Sequence, residues 1–412
     1  MSLCRYLPTP SDRMAIMWTL LRVGDAIVLE YGPAGTTHYC MGLFGSMGIS
    51  PNQTLFTTHM SEDDVVMGDV TRLEEAIVEL DRNYAPKVIF VIASAITAVI
   101  GTDLKGVCSY MQERVNARLI AMENGGFRGD YTVGLREAYL MLVKELSGPG
   151  EGKLPAYNIL GASAGSYRIS SDLWELEDLM RRAFGLSLHT APGFHGTVGE
   201  LAEMGCASIN LVLRSEALPA ARWLLEKYGT PYVYGAPYGY AGTERWLEQI
   251  AETVKIPIAT PLLTELQTRK QEAMNYRMYA GMYRHKPHAP CAALIGDYDT
   301  IMGLSALCRE LDITPDLMIC PHSLKDIEGQ LDGISHFARE RDQIDILRGL
   351  HYHLVLGDDV SLHLCDETNV CRCISFPLVY HTQIAGHLPL MGIRGMDDIL
   401  ETIDRYYQIL DN

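Results

Sequence analysis

Nine short, continuously apolar runs separated by helical patterns constrain this chain most. They cover residues 26–30, 88–92, 157–160, 208–213, 232–234, 292–295, 317–319, 354–356 and 373–376. A strand with one wet face alternates polar and apolar residues. These runs do not alternate, so they read as strands of parallel sheets covered on both faces. Helical periodicity lies between them at 72–82, 218–228 and 243–254, which implies βαβ units. Breaks at Ser147-Gly-Pro-Gly-Glu-Gly-Lys153 and Arg284-His-Lys-Pro-His-Ala-Pro290 divide the chain into three expected α/β domains, 1–150, 151–287 and 288–412. The last helix, 396–409, is expected to pack back on another domain.

At 412 residues and 48% hydrophobic, the chain can bury several cores. Its net charge of −17 argues against nucleic acid, whose phosphates need a basic footprint. The longest apolar run, residues 88–101, falls short of the roughly 20 residues of a membrane helix. It reads as a buried strand entering a helix. The first residues lack a basic segment followed by an apolar one, so a cytoplasmic location is expected. Ten cysteines are scattered without a C-x-x-C pair. In such a chain they are expected as small core residues rather than disulfides.

In open parallel sheets, ligands bind beyond the carboxyl ends of the strands. No strand end here leads into G-x-G-x-x-G or G-x-x-x-x-G-K-[ST]. This argues against a nicotinamide enzyme and a P-loop ATPase, and leaves any nucleotide hydrolysis to a partner. The end at Gly32-Pro-Ala-Gly-Thr-Thr-His38 carries more chemistry. Gly32, Pro33 and Gly35 turn the chain into a helix that Thr36 or Thr37 can cap, and free N–H groups there suit an anion. A plain βα turn accounts for the same residues. Cys320-Pro-His322 also sits at a strand end, where a ligand or nucleophile can project. Cys371-Arg-Cys373 alternates on a strand, so its thiols face opposite ways and suit packing. His351-Tyr-His353 is expected to alternate on a strand. His381 and His387 precede Gly392-Ile-Arg-Gly395 in a loop able to line a cavity.

Several of these stretches, in order, resemble the nitrogenase catalytic-component superfamily. They are Cys4 with its downstream prolines and helix, then Asp25-Ala-Ile-Val-Leu-Glu-Tyr-Gly-Pro-Ala-Gly35. The acidic segment 57–68, the strand and turn 86–103 and the loop Gly126-Phe-Arg128-Gly129 follow. Asn210-Leu-Val212, 224–231, Gly296-Asp-Tyr-Asp299 and Gly392-Ile-Arg-Gly395 complete the series. The resemblance spans nearly the whole chain. It implies three Rossmann-like domains with parallel sheets.

It also implies a subunit of a metal-cluster reductase. A homologous subunit pairs with it as a dimer or tetramer. An iron–sulfur ATPase delivers electrons, so ATP acts only through that partner. An iron–sulfur cluster is shared at the subunit interface, with a larger metal cofactor or a tetrapyrrole between the domains. Carried over position by position, Cys4 matches the first cluster cysteine, but Thr36 and Ala95 stand where the second and third belong. A hydroxyl is a poor substitute for a soft thiolate on iron. Cys40, one turn beyond Thr36, is the candidate replacement, and His38, His381 and His387 are candidate proton donors. Three readings follow: a subunit of an ATP-dependent reductase, a scaffold or carrier in metal-cofactor assembly, or a cluster-free structural subunit beside an active paralogue.

Overall fold

The computed structural model describes residues 9–46, 54–284, 286, 288–337, 339–375 and 388–411. Thirteen strands among them form three sheets. The first contains β1 (Ala26–Tyr31), β2 (Leu55–Thr57), β3 (Val88–Ala93) and β4 (Arg118–Met122), in the order β2-β1-β3-β4. The second contains β5 (Ala156–Leu160), β6 (Ser187–Thr190), β7 (Ile209–Val212) and β8 (Tyr232–Tyr234), in the order β6-β5-β7-β8. The third contains β9 (Cys291–Ile295), β10 (Thr314–Ile319), β11 (Ile334–Ser335), β12 (Leu354–Asp358) and β13 (Val370–Ser375), in the order β11-β10-β9-β12-β13. Every pairing is parallel. The central strands β1, β3, β5 and β7 are buried along their whole length, as continuously apolar runs require.

The nine runs read from sequence are all strands. The four strands they omit, β2, β4, β6 and β11, are all sheet edges. The His351-Tyr-His353 expectation is corrected: these residues form a turn ahead of β12, with Tyr352 in the left-handed region at φ 59°.

The first and second sheets share one core, in which Val28 and Phe90 join Leu160 and Val212. The second and third share another, running from Tyr157 and Ile159 to Leu294 and Leu356. The helix Gly392–Asp411 returns from the third sheet onto the helix Ile169–Phe184. Glu175 on that helix receives the Ile393 and Arg394 N–H groups at 2.9 and 3.3 Å. A Cβ on Gly392, at φ 75°, would lie 2.4 Å from the Glu175 side chain, so glycine permits this contact.

Candidate functional site

Each sheet reverses its winding once, and a crevice opens at the carboxyl ends there. In the first sheet the reversal lies between β1 and β3. The β1 end turns through Gly32 and Pro33 into the helix Ala34–Ser46, and the β3 end passes Ser94 into the helix Ala95–Ile100. A Cβ on Gly32 would lie 2.4 Å from Ser94 Cβ, so the two turns meet closely enough to require glycine. Gly32 N–H donates to Thr58 Oγ1 at 3.1 Å. Gly35 is exposed, with open space around it.

Thr36 and Thr37 do not cap the helix, as the sequence suggested. Both turn inward. Thr36 Oγ1 donates to the Pro33 carbonyl at 2.9 Å and approaches Glu30 Oε1 at 3.4 Å. Thr37 donates to Glu30 Oε2, and Arg13 pairs with Glu30 Oε1. Glu30 is wholly buried, so this network compensates a carboxylate placed in the interior. Cys40 lies beneath the same network, 1% exposed, with Sγ 3.2 Å from Met14 Sδ and 3.9 Å from Arg13 Nη1. Burial pushes its thiol up, and Glu30 adds to this, against the pull of Arg13. His38 is exposed on the helix.

Ala95, at the other cluster position, carries no donor atom. The described residues at this crevice therefore do not fit a thiolate-held cluster. Cys4, His381 and His387 lie outside the described residues.

Three of the four carboxyl ends of the first sheet carry exposed apolar side chains. Val66 and Met67 follow β2, and Ile96, Val99 and Ile100 follow β3. Phe127 follows β4 and is 68% exposed. In the same loop, Gly126 sits at φ 94° against Ser11, and Arg128 reaches Glu137 at 3.5 Å from a half-exposed position.

The crevices of the second and third sheets face each other and form a buried polar chamber. It is lined by Gly161, Asp172, Arg214, Tyr238, Asp297 and Asp299, among others, and has about 20 Å³ of free volume. That is room for about one water. No thiol or imidazole belongs to the chamber's described lining. Arg214 is fully paired, with Glu216 at 2.8 and 3.1 Å and Asp297 at 3.0 Å. Burial drives Asp297 up, but Arg214 and the Thr300 N–H outweigh it and hold the carboxyl below its ordinary value.

Two neighbours behave oppositely. Burial, then the Glu216 charge, pushes Asp299 up to about 7, against Arg214, the Ser215 N–H at 2.9 Å and the Tyr234 hydroxyl. Burial also pushes Asp172 up to about 7, although it accepts the Leu390 and Met391 N–H groups at 2.6 and 3.0 Å. Two buried carboxyls that exchange protons near neutrality can store and pass a proton.

His322 stands behind the chamber, 1% exposed and edge-on to Tyr131. Its Nε2 accepts the Tyr298 N–H at 3.1 Å while Nδ1 donates to the Ser323 carbonyl at 2.9 Å, so both nitrogens are engaged in holding loops. Cys320 is fully buried beside it, with its thiol raised by burial. Sequence reasoning marks Gly296-Asp-Tyr-Asp299 through the family resemblance. It did not find Asp172, which lies inside a helix with no local motif.

A family model described as "Nitrogenase component 1 type Oxidoreductase" matches residues 11–407. The nitrogenase iron-molybdenum cofactor biosynthesis protein NifE of Nostoc sp. (strain PCC 7120) is 30% identical over 250 residues, covering 58% of this chain and 50% of that protein. NifE of Methanosarcina barkeri is 29% identical over 245 residues, covering 56% and 52%. The chain thus matches about half the length of these relatives. A solved structure described as "Nitrogenase Cp1 at pH 6.5" superposes with a TM-score of 0.80 at 18% identity, over 100% of this chain and 94% of that one. No helix among the described residues is long and apolar enough to cross a membrane. The family match covers nearly the whole sequence, and the structural match supports the same architecture: this chain belongs to the nitrogenase component 1 type oxidoreductase family.

Proposed function

We propose that this chain is the cluster-poor subunit of a nitrogenase-like pair and serves in metal-cofactor assembly. One observation carries the reading. At the two described positions where the family pattern places thiolates, Thr36 is spent on Pro33 and Glu30, and Ala95 has no donor. A homologous partner supplies the remaining thiolates, with Cys4 as this chain's contribution. The exposed apolar side chains of Val66, Met67, Val99 and Phe127 are the docking face for that partner. The NifE relatives, named for cofactor biosynthesis, support assembly over turnover. Within this reading Asp172 and Asp299 hold protons at the chamber, and His38, His381 and His387 serve as further proton donors.

The test is iron and acid-labile sulfide on the anaerobically co-purified pair. Loss in Cys4→Ala with no loss in Cys40→Ala is expected. Loss in Cys40→Ala would overturn the assignment. ATP-dependent turnover with an iron–sulfur ATPase would favour the reductase reading instead. A complex without iron in any variant would leave the structural role.

A further inference from the structure

The opposite edge of the third sheet, at the amino ends of its strands, brings together three side chains that the reading above does not use. Cys291 opens β9, Asp316 lies in β10, and His353 immediately precedes β12. These strands are neighbours in the sheet. Ala292 pairs with Leu354, which sets Cys291 across from His353. The β9–β10 register slips between Pro315 and Leu317, leaving Asp316 as the extra, unpaired residue. A bulge of this kind re-aims a side chain. One donor atom from each of the three residues lies within 4.8 Å of the other two.

The surroundings pre-organise this cluster. His353 Nδ1 donates to the His351 carbonyl at 2.8 Å, which directs Nε2 toward Asp316 Oδ2 at 3.2 Å. Metal-binding histidines are commonly oriented through their second nitrogen in this way. The intervening Tyr352 carries a left-handed backbone, a costly conformation for an aromatic residue. The Tyr406 hydroxyl accepts Cys291 N–H at 2.9 Å and lies 3.0 Å from the Cys291 and Tyr352 carbonyls. Both flanks of the cluster are thereby tied to one buried ring.

We propose that Cys291, Asp316 and His353 form a binding site for a borderline divalent cation of the zinc class, with water at the fourth position. The donor set is one sulfur, one nitrogen and one carboxylate oxygen, the mixture that suits zinc. Tetrahedral ligands roughly 2.0–2.3 Å from zinc lie about 3.3–3.8 Å apart, so modest side-chain rotations close the cluster on an ion. Asp316 is about half exposed, which gives the ion a route in. The site is separate from the strand-end crevices that the family fold uses, because it lies at the amino ends of the strands.

The test titrates Co²⁺, then Zn²⁺ in competition with a chromophoric chelator, into the chelator-treated full chain under anaerobic conditions. The expected result is a thiolate-to-cobalt charge-transfer band that disappears in Cys291→Ser and persists in Cys371→Ser. Asp316→Asn, on the surface, is expected to keep the fold by circular dichroism and weaken zinc binding by about 10- to 100-fold. This variant decides the matter if Cys291→Ser fails to fold. Absence of binding, or an unchanged affinity in Asp316→Asn, would overturn the proposal.

Discussion

Replacing Asp172 with asparagine isolates the cost of keeping a carboxyl in the chamber between the second and third sheets. Its folded pKa is raised from 3.8 to about 7, chiefly by burial. The unfolded chain therefore releases its proton near pH 4, while the folded chain keeps it until about pH 7. Between those values the folded state binds more protons, so rising pH removes stability. The full effect approaches about 4 kcal/mol at 1.36 kcal/mol per tenfold change in proton activity. Asparagine preserves an oxygen acceptor for the Leu390 and Met391 N–H groups and has no proton to lose. Urea unfolding of both proteins from pH 4.5 to 8 measures the difference. Asp172→Asn should gain about 3 kcal/mol relative to wild type across that interval, whatever its constant offset. Asp299 contributes a similar slope to both proteins and cancels. A stability difference that stays flat across the interval would refute the reasoning.

Glu30→Gln leaves Arg13 buried beside a neutral amide, and should cost about 3–5 kcal/mol in urea unfolding, the range for breaking one side of a buried pair. Gly32→Ala forces a Cβ against Ser94 and should cost about 1–3 kcal/mol; most of that loss should be recovered in a Ser94→Gly background, where the clashing atom is gone.

The interior strands were legible because burial on both faces leaves a signature that needs no context. Val88 to Ala93 is apolar at every position and buried at every position. The four omitted edge strands lack that signature for a physical reason. β4 runs Arg-Leu-Ile-Ala-Met with its first residue exposed, and β6 is Ser-Leu-His-Thr with only Thr190 buried. Such segments become strands by pairing with a neighbour already in place, which is information from elsewhere in the chain. The same holds for the turn at Tyr352. Two histidines spaced by one residue read as strand alternation, but Tyr352 between them is left-handed, with its carbonyl held by the Tyr406 hydroxyl from the last helix.

The candidate site divides along the same line. Gly32 could be recognised from its local turn pattern and Thr36 and Ala95 through the family resemblance, and the absence of thiols at the latter two needs no structure. What holds Thr36 in place does not follow from the turn. Glu30 precedes it on β1 and reads as one polar residue in a buried strand; its partner Arg13 comes from the helix Asp12–Leu20 that precedes the strand. That pairing changes the meaning of Cys40. By sequence spacing it is one turn beyond Thr36 and available to replace a ligand. In the fold it lies beside the Glu30–Arg13 pair, 1% exposed, and burial favours its protonated form. Supplying sulfur at residue 36 would therefore be insufficient to rebuild a ligand site. The new thiol would begin beside a buried carboxylate whose charge opposes the thiolate, so the partner's ligands and the Glu30 network must be considered together.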